Sequence, residues 1–326
     1  MSTEKQIIRL FSACQELTVK QLVDDTGASK QMVHLVLNKL LAADRIEKLG
    51  RAPKTIYRWI TERHYVSEGS EIYLPEMDFL KKHFLLVDAT GKILEGWPAF
   101  EYWCNQRNLP HKKTVDEFIT TKKKYLSYFN IHGFINGTEK LKTTKGYDKI
   151  YLDHLFYLDF YAIERFGKTR LGTLLHYAKQ GQSKYLMKIM MQEIADRIVE
   201  FVEKQKVDAI GFVPPTIRRE VQIMKFIQAN LKINLPILEI KKISGLIPVP
   251  QKSLSKLEER IANADNTFAI TERKQFKHVI LIDDAVGSGS TLNQISKKLK
   301  AKKTAKKITA LAIVGSFKGF DVVTDV

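Results

Sequence analysis

Two rhythms of hydrophobic and polar residues divide the chain. Beyond about residue 151, short β-branched runs, "VDAIGFV", "INLPILEI", "HVILIDD" and "KITALAIVGS", alternate with segments whose apolar residues recur every three or four positions, such as "KYLMKIMMQEIADRIVEFVEKQ" and "EVQIMKFIQANL". That alternation predicts an α/β fold, a parallel doubly wound sheet with helices on both faces. Ligands of such sheets bind beyond the carboxyl ends of the strands. Asp283 and Asp284 fall at one such end, and "VPPT", Val213 to Thr216, falls at another.

Residues 1–62 carry a denser, helical rhythm that ends in a short basic run. Leu17, Leu22 and Val23 give a first helix its apolar side, Gly27 supplies a turn, and Ser29 is placed to cap the next helix. Met32, Val33, Val36, Leu37, Leu40 and Leu41 form that helix's buried stripe. Lys30, Gln31, His34 and Lys39 lie on its other side. The run "RIEKLGRAPKTIYRW" adds Arg45, Lys48, Arg51, Lys54 and Arg58 as a two-stranded wing. The whole resembles an α+β winged helix-turn-helix, which implies DNA binding through Ser29, Lys30, Gln31, His34 and Lys39 in a major groove, with Arg51 and Lys54 on the backbone. The same scaffold also serves protein contact, so that use stays open. His34 has no second His or Cys at ligand spacing and reads as a surface contact, not a metal ligand.

Residues 63–150 read as a linker and a small middle region without a chemical signature. "FLLVDATGKILEG" predicts a hairpin turning at Ala89-Thr90-Gly91, and "TVDEFITTKKKYLSYF" predicts a helix with aromatic anchors.

Composition narrows the class of protein. With 326 residues, 44% hydrophobic and 27% charged, the chain is long enough for two or three packed domains and is neither disordered nor fibrous. A net charge of +17 favours polyanionic partners, unless it is only a solvated lysine-rich surface. Cys14 and Cys104 stand alone, which excludes a disulfide framework and a CxxC metal site. No stretch approaches the roughly 18 apolar residues that cross a bilayer, and "MSTEKQIIRLF" lacks a signal-peptide core. The expected location is the cytoplasm, with no membrane partner; a homodimer is left open.

The chemistry concentrates in "VILIDDAVGSGSTL". The loop Gly287, Ser288, Gly289, Ser290, Thr291 has neither the Gly-Lys-Thr ending of a Walker loop nor the third glycine of a dinucleotide fingerprint. Its glycines let successive N–H groups converge on an anion, its hydroxyls add donors, and a helix starting near Thr291 would point its positive end at the same place. A single phosphate monoester suits so small a cradle. Asp283 and Asp284 would repel that phosphate unless a vicinal diol or a divalent cation compensates them. Phosphate beside diol means a ribose 5-phosphate.

At these residues the chain resembles the type I phosphoribosyltransferases, whose corresponding motif binds 5-phosphoribosyl 1-pyrophosphate (PRPP). Other segments are similar to ComF-like members of that family: "GTLLHYAKQGQSKYLMKIMMQEIADRI", "VDAIGFVPPTIRREVQIMKFI", and a Gln-Leu-Arg-Asn-Phe pattern carried by Gln251, Leu254, Arg260, Asn263 and Phe268. The likeness spans residues 151–326. The cysteine-rich zinc segment that ComF-like proteins often carry is missing, so the resemblance implies nothing for residues 1–150.

The resemblance implies that Asp283 and Asp284 hold the ribose diol and oppose positive charge growing on the ring, and that residues 287–291 anchor the 5-phosphate. Mg²⁺ would arrive with PRPP and touch Asp283 or Asp284. Pro214, Pro215, Thr216, Arg218, Arg219, Lys252 and Arg260 are the expected pyrophosphate contacts. Residues 247–263 read either as a cover that excludes water or as an ordinary amphipathic helix. "KKLKAKKTAKK", 297–307, reads as the exposed, cationic end of a helix in preference to a nucleic-acid track. Two functions are expected from this pattern. The first is a Mg²⁺-dependent phosphoribosyltransferase with a DNA-binding module. The other is a non-catalytic regulator, similar to the purine repressors that sense PRPP, or a DNA-binding protein associated with DNA uptake.

Overall fold

The computed structural model describes residues 2–43, 45–51, 54–59, 72–215, 219–243, 254 and 256–316. The chain divides into two compact units, Met1–Gly69 and Ser70–Val326.

In the first unit, helices α1 (Thr3–Ala13), α2 (Val19–Thr26) and α3 (Lys30–Ala42) accompany strands β1 (Glu16–Leu17), β2 (Ile46–Arg51) and β3 (Lys54–Trp59). Local chemistry sets the helix ends. Thr18 and Gln21 form a reciprocal capping box at the start of α2, Gly27 closes it with a φ of +65°, and Ser29 caps α3 by accepting from the Met32 N–H. The strands are antiparallel in the order β1-β3-β2. Arg58 on the central strand pairs with Glu16 at 2.6 Å and Glu47 at 3.3 Å, its register partners on either side. Ile7, Phe11, Leu22, Val33 and Leu37 fill the core. Met32 departs from the expected stripe and is 45% exposed. The face set by Val33, Val36, Leu37 and Leu40 turns it outward beside Leu35, which is 64% exposed.

The second unit opens with α4 (Leu74–His83), the hairpin β4 (Leu85–Val87) and β5 (Ile93–Glu95), α5 (Gly96–Asn105), α6 (His111–Leu126), β6 (Ile135–Asn136) and α7 (Thr138–Thr143). Both features expected in this region are present. Asp88 Oδ1 accepts from the Thr90 and Lys92 N–H groups, and Gly91 takes φ +84°, which closes the hairpin where the sequence indicated. There follow β7 (His154–Phe160), α8 (Arg170–Gln180), α9 (Lys184–Gln205), β8 (Ala209–Phe212), α10 (Ile223–Asn230), β9 (Ile240–Lys242), α11 (Leu257–Thr267), β10 (Phe268–Ile270), β11 (Phe276–Val286), α12 (Ser290–Ala301) and β12 (Ala305–Gly315).

The main sheet has the order β6-β7-β12-β11-β8, with β7, β12, β11 and β8 mutually parallel and only β6 antiparallel. This is the mixed α/β arrangement with helices on both faces. Ile280, Ile282, Leu311 and Ile313 share a cluster with Leu174 of α8, Met190 and Ile194 of α9 and Ile227 of α10. Val279, Leu281, Ala310 and Ala312 face Leu292, Ile295 and Leu299 of α12. Phe84, Phe100, Trp103 and Phe118 join that second cluster, so the middle region shares the sheet's core. Their rings stack edge-on, Phe84 to Phe100 at 4.9 Å and Phe84 to Phe118 at 5.3 Å.

Two departures from the sequence pattern concern the sheet. β7, "HLFYLDF", is an additional parallel strand that the alternation after residue 151 did not announce. Conversely, "INLPILEI" gives this sheet only a bridge, in which the Ile210 N–H donates to the Pro236 carbonyl and the Leu238 N–H to the Ile210 carbonyl, and its last residue, Ile240, begins β9, which pairs with β10 outside the main sheet. Pro236 has no N–H with which to continue a ladder. Among the described residues no helix is long and apolar enough to cross a membrane.

Gly172 fixes how α8 meets the sheet. A Cβ there would lie 2.1 Å from the Tyr161 carbonyl oxygen. In an open helix Gly→Ala gains up to about 1 kcal/mol; here Gly172→Ala is expected to cost about 1–3 kcal/mol or more through overpacking. Urea unfolding checks the sign, and an unchanged or raised midpoint would contradict this packing.

Candidate functional site

β11 ends between two parallel neighbours, and the site grows from that end. The Val213 N–H donates to the Ile282 carbonyl at 2.9 Å, which sets the turn after β8 beside Asp283. Strand alternation then separates the two acids. Asp283 continues the face of Leu281, whereas Asp284 continues the face of Ile280 and Ile282, toward α8. There Lys179 Nζ lies 2.6 Å from Asp284 Oδ2. The Asp284 N–H donates to Asp283 Oδ1 at 2.8 Å. Burial foremost, then the charge of Asp284, raises the Asp283 carboxyl to about 7, and Lys179 opposes that rise.

Gly287 to Thr291 follow directly and join β11 to α12. Of the loop's two glycines Gly289 alone takes a left-handed φ, +77°, and it occupies the N-cap of α12 without a side chain to satisfy the first N–H groups. Ser288 and Ser290 are buried and their hydroxyls meet at 3.0 Å. The arrangement offers an anion the start of a helix, two hydroxyls and a close backbone.

A brace absent from the sequence expectations holds this loop. Tyr147 Oη donates to the Ser288 carbonyl at 2.7 Å. Fully buried Asn293, in the first turn of α12, accepts from the Tyr151 N–H at 2.6 Å and donates to the Lys149 carbonyl at 3.0 Å. Burial pushes the Tyr147 phenol well above its ordinary range, against the nearby charge of Arg260. No spacing signal marks Tyr147 or Lys179, because their partners lie 141 and 105 residues away.

The other expected site residues divide. Arg260 is buried on α11, donates to the Leu254 carbonyl at 2.8 Å and lies near Tyr147. Pro214 and Pro215 are half-buried at the end of β8. Arg219 donates to Gln180 Oε1 at 3.1 Å, at the end of α8. Thr216, Arg218 and Lys252 lie outside the described residues, as do positions 247–253 and 255 of the expected cover, whereas 257–263 are helical. In the lysine cluster, Lys298 and Lys302 donate to the carbonyls of Phe268 and Ile270, and Lys300 pairs with Asp153 at 2.8 Å. The cluster does include the end of α12, but Lys298 and Lys300 are half-buried and tie that helix to its neighbours, and Lys306 and Lys307 lie on β12.

In the first unit, Lys30, Gln31 and Lys54 are exposed and His34 is half-exposed. The hydroxyl of Ser29 is engaged as a cap, and Lys39 pairs with Glu4 at 2.7 Å. The side chain of Arg51 lies outside the described residues.

The raised carboxyl of Asp283 has a consequence for stability. The folded protein holds that proton between about pH 4, the ordinary carboxylate range, and about 7. Its contribution is therefore complete below about 4 and is lost as pH rises through 7. Urea unfolding from pH 4 to 8 should show wild type losing stability relative to Asp283→Asn across that window, then a constant difference. Parallel curves would contradict the assignment.

No protein-family model matches the chain, and no curated protein matches it. Among solved structures, a hypoxanthine phosphoribosyltransferase from Staphylococcus aureus is similar over 43% of this chain and 67% of its own, with 12% identity and a TM-score of 0.25.

Proposed function

We propose that the second unit binds a ribose 5-phosphate carrying pyrophosphate at C1, that is PRPP, and transfers the phosphoribosyl group to an acceptor with release of pyrophosphate. The observation that carries this reading is the succession, at the carboxyl end of a central parallel strand, of two acids and a glycine-capped helix start. The resemblance of "VILIDDAVGSGSTL" to the phosphoribosyltransferase motif, and of the flanking segments to ComF-like proteins, agrees with it.

In this reading the backbone of 287–291 and the hydroxyls of Ser288 and Ser290 anchor the 5-phosphate. Asp283 and Asp284 accept from the ribose hydroxyls and oppose positive charge developing at C1 as the bond to pyrophosphate breaks. Tyr147 and Asn293 keep the loop in place, which favours transfer by holding the donor in one geometry. The acid pair and the donor's own phosphates fit a hard, oxygen-seeking cation. Bound Mg²⁺ would supply charge neutralisation on the pyrophosphate. Pro214, Pro215 and Thr216, with Arg218, Arg219 and Lys252, are the proposed surroundings of that group.

The first unit is proposed to act as a winged helix on DNA. Exposed Lys30, Gln31 and Lys54 support this, and the second reading with it, a regulator that senses PRPP without consuming it. Exposed Met32 and Leu35 add apolar contact to the same helix.

Calorimetry with PRPP and Mg²⁺ should show saturable binding that Asp283→Asn/Asp284→Asn weakens at least about tenfold; equal binding by both proteins would overturn the site. Release of pyrophosphate with an acceptor supports transfer. PRPP-dependent change in DNA affinity without release supports the regulator.

A further inference from the structure

Residues 179–182, where α8 ends and the chain turns into α9, bond to the end of β11 and to the segment that follows β8. Lys179 reaches Asp284 at the end of β11, while Gln180 accepts from Arg219 at 3.1 Å and Gln182 from the Val221 N–H at 3.0 Å, both downstream of β8. Gln182 holds a φ of +48°, which is unfavourable for a residue with a Cβ. The helix end is thus fastened independently of its lysine.

The Lys179–Asp284 pair is not an ordinary surface contact. Its atoms are 2.6 Å apart and the side chains are 25% and 11% exposed, so the pair is held in place and poorly hydrated. It also lies where a ligand must compete for it. A ribose hydroxyl that donates to Asp284 seeks the oxygens that the ammonium now holds. A neutral hydroxyl cannot replace that charge, and an ammonium left without a partner in a partly buried site is costly. A ligand that brings an anion next to its diol removes the cost, because the four-carbon lysine stem lets the ammonium change partners.

We infer that Lys179 is a specificity-determining residue. It serves as the counter-ion of Asp284 in the free protein and exchanges onto the anionic substituent at C1 of the bound sugar. The site therefore discriminates for ribose 5-phosphates with an anionic C1 group and against those with a free C1 hydroxyl. This rests on the phosphoribose reading and adds to it a reason, written in the protein, why the donor must be activated.

The test is calorimetry on the full chain with Mg²⁺, using PRPP and ribose 5-phosphate as paired ligands. The proteins are wild type, Lys179→Gln, Lys179→Met and Lys179→Arg. Lys179→Gln and Lys179→Met should lose about tenfold to a hundredfold in PRPP affinity, with ribose 5-phosphate affinity unchanged or higher. Lys179→Arg should restore most of the preference for PRPP. Ribose 5-phosphate reports an intact site in each variant, and Lys179→Gln keeps a hydrogen-bond donor if the methionine variant does not fold. Equal losses for both ligands would make Lys179 a structural counter-ion and overturn its role alone. If wild type bound neither ligand, the phosphoribose reading and this role would fall together.

Discussion

Among the described residues, two carboxylates on successive positions at the end of a buried strand share one nearby ammonium, and that imbalance organises the site. The strand itself cannot move, since β11 is held by β12 on one side and β8 on the other. Burial first, and then an Asp284 from which it cannot retreat beyond what alternation allows, make Asp283 keep its proton to a higher pH than a carboxyl in water would. Lys179 compensates Asp284 directly and Asp283 only through space. The result is an edge of the sheet with a standing demand for hydrogen-bond donors or a cation, placed just ahead of a helix start that demands an anion. A ligand with a diol and a phosphate at sugar spacing answers both demands at once.

Much of the structure around that edge serves to keep it fixed. Tyr147 and Asn293 connect the phosphate-loop candidate to the stretch 147–152, just before β7. β7 in turn packs against β12, and the Tyr161 N–H beyond it donates to the Gly315 carbonyl at 2.9 Å. Gly172 lets α8 come against the Tyr161 backbone, and seven residues later the same helix presents Lys179 to Asp284. The middle region, which carries no chemistry of its own in the sequence, packs its aromatic side chains into the core on the face of Asp283. It contributes by holding the site and not by touching a reacting group, and such a role leaves no motif.

That difference explains what was legible in the sequence. Strands and helices with strong local periodicity were readable: β8, β11, β12, α9 and α10 all appear where the apolar pattern placed them. The acids and the loop were readable because their chemistry lies in consecutive residues. β7 leaves a weaker signal because its run is rich in aromatic residues and precedes the segment where the alternation becomes regular. "INLPILEI" was over-read as a full strand because its β-branched residues outweigh one proline in a pattern, whereas in a ladder the proline's missing N–H decides. Lys179 and Tyr147 were invisible for a different reason. Both act across more than 100 residues of chain, and only the packing of α8 and of residues 147–152 brings them to β11.

The claim on which the rest depends is the position of the ligand, and a crystal structure with PRPP and Mg²⁺ measures it most directly. The account expects the phosphate against the N–H groups at the start of α12, within hydrogen-bond distance of Ser288 or Ser290, and the ribose hydroxyls on Asp283 and Asp284. Density for the sugar phosphate elsewhere on the second unit, with an unchanged loop at Gly287 to Thr291, would contradict it.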